Sequence, residues 1–155
     1  MKTLIVYDSV FGNTAKIAAA MGTALGAKVL KVSDATLDDA EGISLLIAGS
    51  PTRAFRPTPA TLTFLKSLPS LKGIRIAAFD TRMRMTDETP KVLVGMAKLF
   101  GYAAAPIQKC LVKKGGVPAT EPAWFYVSDT EGPLSDGEIA RAEQWAKTAA
   151  ADRAR

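Results

Sequence analysis

Between Thr3 and Leu25 the sequence passes from strand formers through a short polar turn into a helical repeat, and few folds accommodate that order. Thr3-Leu4-Ile5-Val6-Tyr7 is apolar enough for a central parallel strand. Ile17, Met21, Ala24 and Leu25 follow a helical pattern, and Gly26 supplies a stop. Between strand and helix lies Asp8-Ser9-Val10-Phe11-Gly12-Asn13-Thr14. A helix that starts straight after such a turn offers N–H groups without internal partners and the positive end of its dipole, so the turn suits an anion. Gly12 allows close backbone approach, and Ser9, Asn13 and Thr14 add side-chain donors. No Lys or Arg lies between Ser9 and Thr14, which excludes the G-x-x-x-x-G-K-[ST] loop of triphosphate sites. The G-x-G-x-x-G of dinucleotide-binding folds is missing too. What remains suits one monophosphate held by neutral donors. The alternative is an ordinary turn in which Thr14 or Asn13 caps the helix and nothing binds.

Composition narrows the chemistry. With 155 residues the chain is expected to form one domain over 1–151, with a frayed tail at 152–155. There is no histidine, which removes histidine-based hydrolase triads and the commonest metal ligand. No metal site and no catalytic acid or base can be named. Cys110 is the single cysteine, so an internal disulfide is impossible and a cytoplasmic setting is expected. Met1-Lys2-Thr3 runs straight into the first strand, without a signal-peptide core or a bilayer-length apolar run. The net charge of +5 is dispersed, with no basic block, and is a weak argument for nucleic acid.

Further elements alternate along the chain. Val29–Val32 is read as a second strand, Leu45–Ala48 as a third, ending in Gly49-Ser50-Pro51-Thr52. Thr58-Pro59 supplies an N-cap and a first-turn proline for a helix through Leu62, Leu65 and Leu68, stopped by Pro69. Ile74–Phe79 is the fourth strand. Thr89-Pro90 repeats the cap-and-proline start, with Leu93, Met96, Leu99 and Phe100 as an expected buried stripe. Ile107–Val112 is read as the fifth strand and Trp124–Val127 as a further short one. Ser135-Asp136-Gly137-Glu138 has the form of a capping box, opening a last helix with Ile139, Ala142, Ala146 and Ala149 inward. Strands alternating with helices imply an α/β fold: a doubly wound five-stranded parallel sheet, order 2-1-3-4-5, in three α/β/α layers. A ligand then belongs at the switch point beside strand one, among the loops Ser9–Thr14, Ser50–Arg56 and Asp80–Asp87.

Ser9-Val10-Phe11-Gly12-Asn13-Thr14 resembles the FMN phosphate loop of the flavodoxin family, roughly [ST]-x-[FYT]-G-[NHT]-T. The likeness is strongest over residues 3–25 and 44–60, and the segment from Trp124 to Ile139 is similar to the tails of small bacterial flavodoxin-domain proteins. The resemblance implies non-covalent FMN with its phosphate on Ser9–Thr14. It also implies that the isoalloxazine lies between Ser50-Pro51-Thr52-Arg53 with Phe55 and Asp80-Thr81-Arg82-Met83. Two departures matter. The wrapping loops lack the usual Trp or Tyr, leaving Phe55, Met83 and Met85 to pack on the ring. Trp124, Phe125 and Tyr126 are available from farther along, though at least two of them are expected in the core. The rim is also basic, with Arg53, Arg56, Arg82 and Arg84 against Asp80 and Asp87, whereas flavodoxin carriers are typically acidic there. These arginines are either solvated and salt-bridged surface or the mark of an anionic partner.

The resemblance thus implies an FMN-binding redox protein that exchanges electrons with a partner protein, an acidic one where the basic rim governs. The alternative is a small FMN-dependent oxidoreductase of quinone or protoporphyrinogen type, acting on an anionic or aromatic substrate. A phosphorylated receiver domain is disfavoured because strand three ends in Gly49-Ser50 rather than a carboxylate. A fold that has lost its cofactor and serves as an interaction module remains open.

Overall fold

Alternation along the strands sorts the chain into two cores. The structure is a computed structural model that describes residues 1–151. Strand β1 (Thr3–Tyr7) sends Leu4 and Val6 to one face of the sheet and Ile5 to the other, with all three buried. The same split recurs in β3 (Leu45–Pro51) and β4 (Arg75–Met83), where Leu46, Ala48, Ile76 and Ala78 join the first face. Burial on both faces is what these near-continuous apolar runs require.

On one side lie α1 (Asn13–Leu25) and α5 (Glu138–Ala150). Ile17, Ala18 and Met21 of α1 meet Ala142, Ala146 and Ala149 of α5 over Ile5 and Ile47. The alanine stripe lets α5 approach closely, and a trio of edge-on rings fills the remaining space. Phe79 and Phe125 each sit 6.1 to 6.3 Å from Trp145 or one another. On the opposite side α2 (Pro59–Ser67) and α4 (Ala104–Lys113) cover the sheet through Leu65, Ile107 and Leu111. Thr58 caps α2 as expected, accepting the Thr61 N–H at 3.3 Å.

All strand pairings are parallel, in the order β2 (Lys28–Lys31), β1, β3, β4. The outer position beyond β4 is filled by two short pieces set end to end. β5 (Val117–Pro118) pairs with Arg75 and Ile76, and β6 (Ala123–Val127) pairs with Phe79 to Met83. The expected order 2-1-3-4-5 holds, with the fifth place divided. Past Val127 the chain turns back, and Leu134 bridges antiparallel to Val127 along the free side of β6.

Several expectations fail for local reasons. Ile107–Val112 is not a strand but the middle of α4. Ile107, Cys110 and Leu111 are spaced for a helix face, and Pro106 sits in the first turn where its missing N–H costs nothing. Because α4 and α2 already occupy that face of the sheet, α3 (Lys91–Phe100) is left outside. Its presumed core stripe is exposed, and Ala97 is its one buried residue. β4 runs on through Met83, so Asp80-Thr81-Arg82-Met83 is strand rather than loop. The capping box is absent: Gly137 is the N-cap of α5, the carboxylate of Glu138 accepts the Tyr126 N–H at 2.6 Å, and Ile139 faces out. Of the three aromatics at 124–126 only Phe125 enters the core, because strand alternation turns Trp124 and Tyr126 away. The tail at 152–155 lies outside the described residues.

Candidate functional site

The turn after β1 is held by its own polar groups. Asp8 accepts the Ser9 N–H at 2.9 Å and the Thr58 hydroxyl at 2.6 Å, which fixes the turn against the start of α2. Ser9 Oγ accepts the Gly12 N–H at 3.1 Å. Gly12 then takes φ 95°, a left-handed value that favours glycine, and α1 begins at Asn13. The first helical bond runs from the Lys16 N–H to the Gly12 carbonyl at 3.1 Å. The N–H groups of Asn13, Thr14 and Ala15 therefore have no acceptor within the helix and open toward the loop. Such a turn is a cradle of neutral donors, of a kind that suits an anion.

Three other elements close on it. The Thr14 and Thr81 hydroxyls are 2.8 Å apart, joining α1 to β4. Asn13 Nδ2 donates to the Glu131 carbonyl at 3.2 Å, bringing the loop after β6 over the cradle. Gly132 makes that approach possible: a Cβ there would lie 2.6 Å from Asn13 Oδ1. Arg53 arrives from the β3 side, its guanidinium 5.4 Å from the centre of the Phe11 ring. A cation absent from the loop itself is thus supplied from elsewhere in the chain.

A cleft runs from this cradle between the ends of β3 and β4. Ser9, Val10, Phe11, Asn13 and Thr14 line one end, Pro51, Thr52 and Arg53 one wall, and Thr81, Arg82 and Met83 the other. It continues across Thr52, Arg82 and Met83 into a second hollow bounded by Ala54, Phe55, Met85 and Tyr102. Thus most of the residues singled out from the sequence come together. Ser50 and Asp80 do not line the cleft, since both are fully buried. Ser50 Oγ is engaged with the Pro51 carbonyl at 2.8 Å and the Thr58 N–H at 3.0 Å.

Asp80 acts through Arg82. The guanidinium donates twice, at 2.8 Å and 2.6 Å, and the same carboxylate accepts the Ala104 N–H at 2.9 Å at the start of α4. Burial pushes the Asp80 carboxyl above the usual carboxylate range, while Arg82 and the Ala104 N–H pull against that rise. Arg82 is stacked as well, 3.6 Å from the Tyr102 ring centre and 4.8 Å from that of Trp124. Arg84 lies 4.0 Å from the Tyr126 ring centre. Among the described residues these basic side chains stack on aromatics, and only Arg82 of the rim arginines forms an ion pair.

Between Arg53 and Arg56 the chain makes a two-residue hairpin, closed by backbone bonds of 2.8 Å and 3.0 Å. Its central residues Ala54 and Phe55 have φ of 49° and 67°. Such turns are usually built from Asn and Gly, and holding these two residues there costs on the order of 1–3 kcal/mol each. The turn directs the Phe55 ring to Phe100, 6.3 Å away, rather than across the cleft.

Sequence reasoning missed Val127 and Thr130, which also line the cleft, and Tyr102 in the second hollow. Val127 ends, and Thr130 follows, a strand that the sequence did reveal, Trp124–Val127, and the ends of parallel strands and the loops after them gather at the ligand-binding end of the sheet.

The sheet order and the helices on both faces are those of the flavodoxin fold. The chain is similar in structure to oxidised Flavodoxin 2 from Bacillus cereus, with TM-score 0.73 and 16% identity over 97% of this chain and 98% of that one. A flavodoxin from Streptococcus pneumoniae TIGR4 gives 0.70 and 19% identity, covering 97% and 98% of the two chains. A WrbA-like flavodoxin from Agrobacterium tumefaciens gives 0.68 and 17%, covering 96% and 94%. No family model matches the sequence, and no curated protein matches it.

Proposed function

We propose that this chain binds FMN and works as an electron-transfer protein of the flavodoxin kind. The observation that carries the reading is the cradle. Unpaired N–H groups at the start of α1, a left-handed Gly12 and a cleft leading away from them suit a phosphate monoester joined to a flat ring. When bound, FMN supplies the one- and two-electron redox chemistry, and the protein supplies placement and charge. In this reading the N–H groups from Asn13 to Ala15, with Ser9 and Thr14, hold the phosphate, and Arg53 adds charge nearby. Pro51, Thr52, Thr81 and Met83 flank the ring. Arg82 contributes little net charge because Asp80 cancels it, so Arg53 and Arg84 are left to stabilise the reduced, anionic ring. One sheet with its two cores supports treating residues 1–151 as a single domain. A lone thiol, Cys110, suits a cytoplasmic location.

The test is the visible spectrum of the purified protein, before and after FMN is added and excess removed by gel filtration. A flavin spectrum that is retained by the parent and lost in Gly12→Asp supports the reading. A protein that stays colourless overturns it.

One observation favours a catalytic variant of the same reading. Phe55 is turned onto Phe100, leaving the second hollow open beside Met83, Met85 and Tyr102. A flat quinone-like or anionic aromatic substrate has room to stack there. NAD(P)H consumption that depends on added quinone separates an FMN-dependent oxidoreductase from a passive carrier.

A further inference from the structure

Helix α3 leaves an apolar face open to solvent. Val92, Leu93, Met96, Leu99 and Phe100 gather on one side of it, with Leu99 76% and Phe100 59% exposed. Exposed apolar residues collected on one face mark a contact surface. This face is continuous with the cleft described above. Phe55 lies between them, packed on Phe100 and also bounding the hollow beside Met83 and Tyr102. The strained Arg53–Arg56 turn holds it in that position, and strain of this kind gathers at functional surfaces.

One groove borders the face, and a second meets the first at Pro106. One, of about 610 Å³, lies between the Phe55 turn and Met96 and Phe100. The other, of about 530 Å³, runs between α2 and α4 over Leu62 and Cys110. Their charged lining is all basic: Arg56 in the first, and Lys66, Lys109, Lys113 and Lys114 in the second. Lys91 and Lys98 rise from α3 itself. None of these side chains is ion-paired among the described residues.

We propose that the α3 face, Phe55 and these grooves form the docking surface for a redox partner protein whose own face is acidic around apolar knobs. The redox role of that partner rests on the function proposed above; the surface does not. Charge complementarity selects the occupant. A second copy would set lysines against lysines, and like charges across an interface disfavour it. A lipid surface has no projections to enter concave grooves, whereas a protein side chain does.

The test uses a strongly acidic iron–sulfur ferredoxin as probe, added to the isotope-labelled protein and followed by amide NMR. Paramagnetic broadening is expected at Arg53–Arg56, along α3 and over 107–113. It should weaken about tenfold or more in the double variant Lys98→Glu, Leu99→Ser, and again as salt is raised. Both positions are exposed and neither lines the cleft or the second hollow, so the variant's flavin spectrum should match the parent's. No broadening, broadening elsewhere, or an undiminished response in the variant overturns the surface. So does a dimer in sedimentation, or co-pelleting with phosphatidylserine vesicles, that Leu99→Ser abolishes. A colourless protein with the expected footprint would sink the cofactor reading and leave the surface standing; a flavin-bound protein without the footprint would do the reverse.

Discussion

The two ends of the cleft are built on different principles. At the cradle, the open donors are backbone N–H groups set by one short stretch, whose conformation is held by hydrogen bonds that Asp8 and Ser9 accept. At the far end the lining groups are side chains from distant elements: Arg82 from β4, stacked on Tyr102 and Trp124, and Phe55 on a strained turn. A backbone site tolerates change around it but not in its own conformation. A side-chain site can be retuned one residue at a time, which is where members of one fold are free to differ in partner and potential.

Substitutions can test that contrast, and the largest effects are expected where a group is both local and strained. Gly12→Asp forces a side chain into a φ of 95° and puts a carboxylate in the anion cradle. FMN affinity should fall by a hundredfold or more, about 3 kcal/mol, in a titration of flavin fluorescence, while far-UV circular dichroism stays unchanged. An unchanged affinity would break the idea that backbone conformation governs this end.

Comparable in size is the effect of Arg82→Leu, which leaves Asp80 buried with a single N–H partner. Breaking a buried pair in this way should cost about 3–5 kcal/mol in denaturant unfolding. Adding Asp80→Asn should recover part of the loss, because the stranded charge goes with it. Strictly additive costs would mean that the two side chains are not coupled.

A smaller effect belongs to Glu138, buried beside β6. Hydrogen bonds from Arg141 and from the Tyr126 N–H hold its carboxyl below the ordinary value of 4.5, outweighing the opposing effect of burial. Since the folded pKa is the lower one, the stabilisation is complete above 4.5 and disappears as pH falls through the folded pKa. Glu138→Gln should therefore destabilise by about 1 kcal/mol at neutral pH and by almost nothing in strong acid. A difference independent of pH would refute the assignment. The smallest change is expected from Arg84→Gln, which removes one exposed charge near the ring. The flavin midpoint should drop by roughly 20–40 mV, provided that the cofactor binds as proposed.

The same contrast explains what could be read from the sequence. The β1–turn–α1 unit was legible because each of its signals is local: strand formers, a glycine at the turn, a helical repeat. Thr58-Pro59 was legible for the same reason. The segment from Leu93 to Val112 was not. A helix that packs and a helix that does not can carry the same apolar repeat, and only the prior claim of α2 and α4 on the sheet decides that α3 is left over. The sequence likewise named Arg82 but could not reveal its pairing with a buried Asp80, nor the rings that sandwich it, since Tyr102 and Trp124 reach it only in the folded chain.

The divided fifth strand has a consequence for how the molecule behaves in a crowd. An unpaired sheet border is a template on which other chains can add strands. Here that border is only two residues long at β5, and along β6 the returning segment at Leu134 is already bridged to Val127. The opposite border, β2, is four residues long and carries Lys28 and Lys31. Among the described residues, neither border offers a long, uncharged run of free backbone. Addition of strands from neighbouring chains is therefore disfavoured at these two borders.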